Sequence, residues 1–145
     1  MEDAISKARA AEGAVSATSW VENGVHLRVY RSVGDKIDER AYDGSWYTGA
    51  FSAQGETVGA TSWLEGSQIH IRVYVGDGFH GPITEHCWDS NSWYIGEFKG
   101  AGAGASAVSW FDGTVHIRVY VRDERGNVTE HCWDGKGWYA GAYTE

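Results

Sequence analysis

The chain has 145 residues, enough for one compact domain with its own core. A net charge of −8 argues against a nucleic-acid or anionic-membrane partner, both of which require a basic face, and favours solubility. No apolar run approaches the ~20 residues that span a bilayer, so membrane insertion is not expected.

Residues 1–13, MEDAISKARAAEG, form a separate compositional zone rich in Ala, Glu, Lys and Arg. They lack the apolar centre of a secretory signal. Asp3 can cap a short helix with Ile5 and Ala8 on one side, and a frayed tail is the other reading. Beyond this zone helix formers are scarce, while β-branched and aromatic residues alternate with polar ones.

From residue 14 the chain repeats. VHLRVYRSVGDKIDERAYDGSWYTGAF (25–51), IHIRVYVGDGFHGPITEHCWDSNSWYIGEF (69–98) and VHIRVYVRDERGNVTEHCWDGKGWYAGAY (115–143) are copies of one unit. Each copy follows a Ser-Trp pair, at Trp20, Trp63 and Trp110, and the copies' arginines, Arg28, Arg72 and Arg118, lie 44 and 46 residues apart. Each unit is predicted to hold four short strands. The first ends on the Ser-Trp pair, and the second alternates Val25, Leu27 and Val29 with His26, Arg28 and Tyr30. The third is of the ITEHCW type. A turn at Asp43-Gly44 or Asp134-Gly135 leads to the fourth, of the GWYAGAY type.

Four strands in ~45 residues, repeated, is the mark of propeller blades, here at about 14–54, 55–101 and 102–145. Propellers close with roughly four to eight blades, so three cannot form a ring. An open stack needs polar end repeats, yet the first and last units look like the middle one. The expectation is an all-β, six-bladed β-propeller closed by a homodimer. Cys87 and Cys132 occupy the slot of Ala41 in the first unit, which reads as a small buried site; neither a disulfide nor a metal site is expected there.

In the third strand Glu85 shares a face with Ile83 and Cys87, while Trp88 points the other way; Glu130 and Trp133, and Glu39 and Tyr42, repeat this. A carboxylate flanked by apolar groups needs a partner, and the nearest recurrent cation is the arginine one strand earlier. Blades pack face to face, so each gap is expected to hold Arg and Glu from one blade and Trp from the next. Guanidinium donors, carboxylate acceptors and a flat apolar wall suit a sugar. A repeated structural salt bridge with tryptophans gluing the blades accounts for the same residues, and both readings stand at this point.

The segments IRVY, TEHCWDG and GWYAGAY resemble the fucose-binding six-bladed propeller lectins of fungi and bacteria, the Aleuria-type family, over residues 16–143. The bacterial members, whose two-blade chains assemble into six-bladed rings, are the more similar. The resemblance implies a calcium-independent, non-enzymatic lectin for L-fucose on fucosylated glycans, multivalent and needing no cofactor. It implies that Arg28 and Glu39 face Trp88 and Trp93, and that Arg72 and Glu85 face Trp133 and Trp138. Arg118 and Glu130 would face Tyr42 and Trp46 of a partner chain. In the family the tryptophan before the turn stacks on the sugar and the one after it donates a hydrogen bond. The segment after the fourth strand adds a contact, at Ala50, Glu97 and Ala142, where Glu97 departs from the usual small residue and is expected to narrow its pocket. The first unit departs further: Tyr42 stands for Trp, and its shorter hairpin is expected to shift the Trp46 indole.

Other chemistries fit less well. His26, His70 and His116 recur one per blade, too dispersed for a metal cluster, and read as hydrogen-bonded sheet residues. A glycosidase needs two carboxylates about one bond, and Asp43, Asp89 and Asp134 sit at hairpin turns where Asp bonds its own backbone. A sialidase needs clustered arginines. Trp88-Asp89 and Trp133-Asp134 resemble the WD dipeptide, without its upstream Gly-His pair. A propeller scaffold for protein partners is the alternative of a different class.

Overall fold

The computed structural model describes residues 13–78 and 80–145, so the proposed N-terminal helix falls outside the described residues. Among the described residues, thirteen strands form three antiparallel sheets. The first runs β1 (Val15–Val21), β2 (Val25–Val33), β3 (Lys36–Tyr42), β4 (Trp46–Gln54). The second runs β5 (Thr57–Glu65), β6 (Gln68–Gly76), β7 (Pro82–Trp88), β8 (Trp93–Ile95), with β9 (Gly100–Ala101) also pairing β7. The third runs β10 (Gly104–Phe111), β11 (Val115–Arg122), β12 (Val128–Trp133), β13 (Trp138–Ala140). Each is a meander in sequence order, as short hairpins between consecutive strands dictate.

The three sheets meet along their first strands. β5 lies between β1 and β10. Hydroxyls link them: Thr18 Oγ1 lies 2.6 Å from Ser62 Oγ, and Thr61 Oγ1 lies 2.6 Å from Ser109 Oγ. The blades approach so closely there that a Cβ at Gly59 would meet the Ala105 carbonyl.

The core is therefore two inter-blade layers. Tyr30, Ile37 and Phe51 of the first sheet pack on Ile71 and Val73 of the second. Tyr74, Ile83 and Phe98 of the second pack on Ile117 and Val119 of the third. The alternation Ile-His-Ile-Arg-Val-Tyr explains this, since one face is aliphatic and the other carries Arg and Tyr. Cys87 and Cys132 are both free and buried, and burial pushes the Cys87 thiol up to about 12. It stays protonated and fills space.

One irregularity recurs. Between Asp38 and Arg40 the β3–β4 register slips at Glu39, whose carboxylate accepts the Phe51 amide at 3.4 Å. Glu85 accepts Phe98 N–H at 3.3 Å and Glu130 accepts Tyr143 N–H at 3.1 Å. The carboxylate lies under Gly49, Gly96 or Gly141, where any Cβ would overlap it. Gly96→Ala must therefore displace Glu85, and we expect a destabilisation of ~1–3 kcal/mol by overpacking, read as a lowered denaturation midpoint. An unchanged midpoint contradicts the close approach.

Candidate functional site

Strand register divides each blade into a polar and an apolar face. In the second sheet, Trp63 opposes His70, Arg72 opposes Cys87, Tyr74 opposes Glu85, and Cys87 opposes Tyr94, all on one face. Ile71, Trp88 and Trp93 oppose one another on the other. The first and third sheets repeat both patterns.

Where the polar face of one blade meets the apolar face of the next, a cavity opens. Between the first and second sheets it measures about 180 Å³; Arg28, Glu39, Gly49 and Ala50 form one wall, and Ile69, Ile71, Trp88 and Trp93 the other. Between the second and third it measures about 320 Å³, with Arg72, Glu85 and Glu97 facing Val115, Ile117, Trp133 and Trp138. The structure thus brings both in-chain sets of expected residues together. Glu97, an exposed residue, lines the larger of the two cavities. Arg118, Glu130 and Ala142 lie on the third sheet and Tyr42 and Trp46 on the first, and one chain does not join them. The shortened hairpin nevertheless keeps Tyr42 opposite Trp46, with ring centroids 5.4 Å apart at 54°, against 5.7 Å and 46° for Trp88 and Trp93.

The arginine–glutamate pair expected from the sequence does not form. Arg28 opposes Ala41, and Glu39 opposes Tyr30, whose hydroxyl donates to it at 2.6 Å. Tyr74 and Tyr120 hold Glu85 and Glu130 in the same way, both at 2.7 Å. The carboxylate is thus satisfied by a phenol and an amide within its own blade.

The arginine's partner is the turn aspartate, which does more than bond its own backbone. Arg28, Arg72 and Arg118 donate through Nη1 to Asp43, Asp89 and Asp134 at 2.9, 2.8 and 3.0 Å. Each aspartate also meets the histidine two residues before the arginine, with His70 Nδ1 2.5 Å from Asp89 Oδ1. A tyrosine hydroxyl, of Tyr47, Tyr94 or Tyr139, donates to its second oxygen. The leading tryptophan completes the set. Trp63 stacks on His70 at 5.0 Å and lies 4.9 Å beneath the Arg72 guanidinium, a cation–π contact. Trp20, Trp63, Tyr47 and Tyr94 also line the cavities, although the resemblance implies no sugar contact for them. Their recurrence beside each arginine was the available signal.

These contacts carry a pH dependence. Burial works to raise the Asp89 carboxyl, but hydrogen bonds from Arg72, Tyr94 and His70 outweigh it and hold it at about 2, against an ordinary 3.8. Asp43 and Asp134 are likewise held down by their hydrogen-bond donors. A depressed carboxylate stabilises the fold above its unfolded pKa, and that contribution is lost as pH falls through the folded value. Hydrogen bonds to Asp43 and Asp134 raise His26 and His116, whose contribution is full below 6.5 and lost as pH rises through their folded values. Denaturant titrations should show falling stability below about pH 4 and a shallower decline on the alkaline side of neutrality. A flat profile across both windows contradicts this.

A family model described as fungal fucose-specific lectin matches residues 2–103. A fucose lectin from Kordia zhangzhouensis, solved with methyl-fucoside, is 46% identical and superimposes with a TM-score of 0.75, covering 89% of this chain and 99% of that one. A mutant Aleuria aurantia lectin solved with α-methyl-L-fucoside is 31% identical, with a TM-score of 0.72 over 90% of this chain and 44% of that one. The Aleuria aurantia fold is described as a six-bladed β-propeller, and this chain spans 45% of it, about half. No curated protein matches the chain.

Proposed function

The chain belongs to the fungal fucose-specific lectin family, and from that premise we propose that it is a multivalent lectin for L-fucose on fucosylated glycans, with each sugar held between two adjacent blades. The observation that carries this reading is the two-walled cavity. Arg72 and Glu85 present donors and acceptors on one side, while Ile117, Trp133 and Trp138 present C–H and π surface on the other. Fucose has the matching asymmetry, with hydroxyls and ring oxygen on one flank and a methyl-bearing apolar flank opposite. In this reading Arg28 and Glu39 serve the first cavity with Trp88 and Trp93, and Ala50 and Glu97 border the two cavities.

A third site is proposed across a homodimer seam, where Arg118, Glu130 and Ala142 meet Tyr42 and Trp46 of a second copy. Unequal exposure of equivalent residues supports it. Phe51 and Phe98 are each 4% exposed beneath the next blade, while Tyr143, in the same slot, is 46% exposed. Likewise Ile71 and Ile117 are buried while Leu27 is half-exposed. Two copies joined there make six blades and six sites.

The site binds without chemistry, in our reading. The first cavity offers one carboxylate, Glu39. The second holds Glu85 and Glu97, the minimum set for glycoside hydrolysis, but Glu85 is engaged by Tyr74 and the Phe98 amide. Release of chromophore from a nitrophenyl fucoside would overturn the binding-only reading. Binding itself is read by titrating methyl α-L-fucoside while following tryptophan fluorescence, because every proposed site contains Trp. A saturable change is expected, and none at millimolar sugar sinks the proposal. On a densely fucosylated surface, apparent affinity should rise by ~10²–10⁴ over a sparse one through effective concentration.

A further inference from the structure

We propose that the hairpin-turn aspartate of each blade, Asp89 in the middle one, is a positioning residue that sets which nitrogens the site arginine turns toward the sugar. The inference rests on the reading that the inter-blade cavities take fucose. It concerns a residue that lies outside the cavity lining and acts through Arg72.

The geometry carries it. A guanidinium on a flexible stem offers five N–H groups in a rigid fork, so its usefulness depends on how that fork is rotated. Arg72 Nη1 is fully occupied: it donates to Asp89 Oδ1 at 2.8 Å and to the Ile71 carbonyl at 3.1 Å. Among the described residues, Nη2 and Nε of Arg72 make no hydrogen bond to the protein, and Arg72 lines the cavity. The rings of Trp63, at 4.9 Å, and Tyr94, at 5.9 Å, both lie against the guanidinium. Tyr94 is itself tethered through its hydroxyl to Asp89 Oδ2, and His70 Nδ1 lies 2.5 Å from Oδ1. One carboxylate therefore holds the fork, one of its flanking rings and the histidine stacked on the other.

The first blade shows how much the contact decides. There Arg28 turns both terminal nitrogens on to Asp43, Nη1 at 2.9 Å and Nη2 at 3.1 Å, and Nη2 also reaches Tyr47 at 3.4 Å. The third blade follows the second, with Arg118 Nη1 on Asp134 at 3.0 Å. Nη1 keeps equivalent partners in both blades, the preceding carbonyl and the turn aspartate, so the aspartate anchors the fork alike, and only the donors left over for a ligand differ.

The test uses the full-length chain carrying Arg28→Ala and Arg118→Ala, so that only the middle site remains, with calorimetry of methyl α-L-fucoside. Asp89→Asn is compared in the presence of Arg72 and in an Arg72→Lys background. With Arg72 present, the loss should be about tenfold or more; in the lysine background it should be under about twofold, because a point ammonium has no fork to orient. A merely structural role gives equal losses in both backgrounds, which overturns the proposal, as does no loss with Arg72 present. Should Asp89→Asn fail to fold, Tyr94→Phe removes one tether and keeps the ring. It should cost about two- to fivefold with Arg72 and nothing in the lysine background, and an unchanged affinity with Arg72 overturns the proposal. If the parent with its single site shows no heat with the sugar, the fucose reading fails. If the parent binds and the losses are equal, only the positioning role falls.

Discussion

Arg72→Ala should empty the site between the second and third blades and leave the site between the first and second intact. Arg72 is the only cation lining that cavity among the described residues, and its hydrogen bonds to a sugar would be charge-assisted. Such bonds contribute ~1.5–3 kcal/mol each, so losing two lowers affinity at that site by at least ~10². Trp133→Ala should weaken the same site from the opposite wall by removing its aromatic face. Since both residues act on one ligand, the double variant should lose little beyond the worse single variant. Site-resolved titration, with the other sites silenced at Arg28 and Arg118, decides this. Fully additive losses, or an unaffected site in either single variant, would show that the two walls do not share a sugar.

The second large effect lies at the open ends of the chain. We expect sedimentation to report twice the 15.9 kDa chain mass at micromolar concentration, and a denaturation midpoint that rises with protein concentration. The reason is the repeat itself. Tyr30 and Tyr74 are fully buried by the following blade, whereas Tyr120, on the outer face of the third sheet, is only half-buried. At the other end Leu27, opposite Tyr42, repeats the position of Ile71 and Ile117, which bury completely. Leu27→Asp would bring an unpaired carboxylate into that seam, at a cost of several kcal/mol if the seam is dry. That variant should run as a monomer or lose its cooperative unfolding. A parent chain that stays folded and monomeric would rule the dimeric ring out.

Much of this molecule is legible before any coordinates. Strand parity alone separates Glu85 from Trp88, and it does so in every unit, so a packed stack of such sheets must set carboxylate against tryptophan at each gap. That argument needs only the two-residue period of a strand, which is local and insensitive to everything else in the fold. The failure of three like units to close a ring is likewise arithmetic.

The partner of the arginine was not legible in the same way. Parity puts Arg72, Tyr74, Glu85 and Asp89 on one face but says nothing about which of them meet. The β6–β7 register sets Glu85 opposite Tyr74 and leaves the arginine opposite Cys87, within reach of the aspartate that the turn brings back. A shift of two residues along either strand would keep every side chain on its face and change every partner. The repeat, the four strands of each blade and the polarity of their faces were therefore determined by the amino-acid sequence itself, through periodicities internal to single strands. Which charge neutralises which, and the role of the leading tryptophans beneath the arginines, were decided only by tertiary structure. Those contacts depend on register and on how far each hairpin reaches, and both are fixed by the packing of whole sheets against one another.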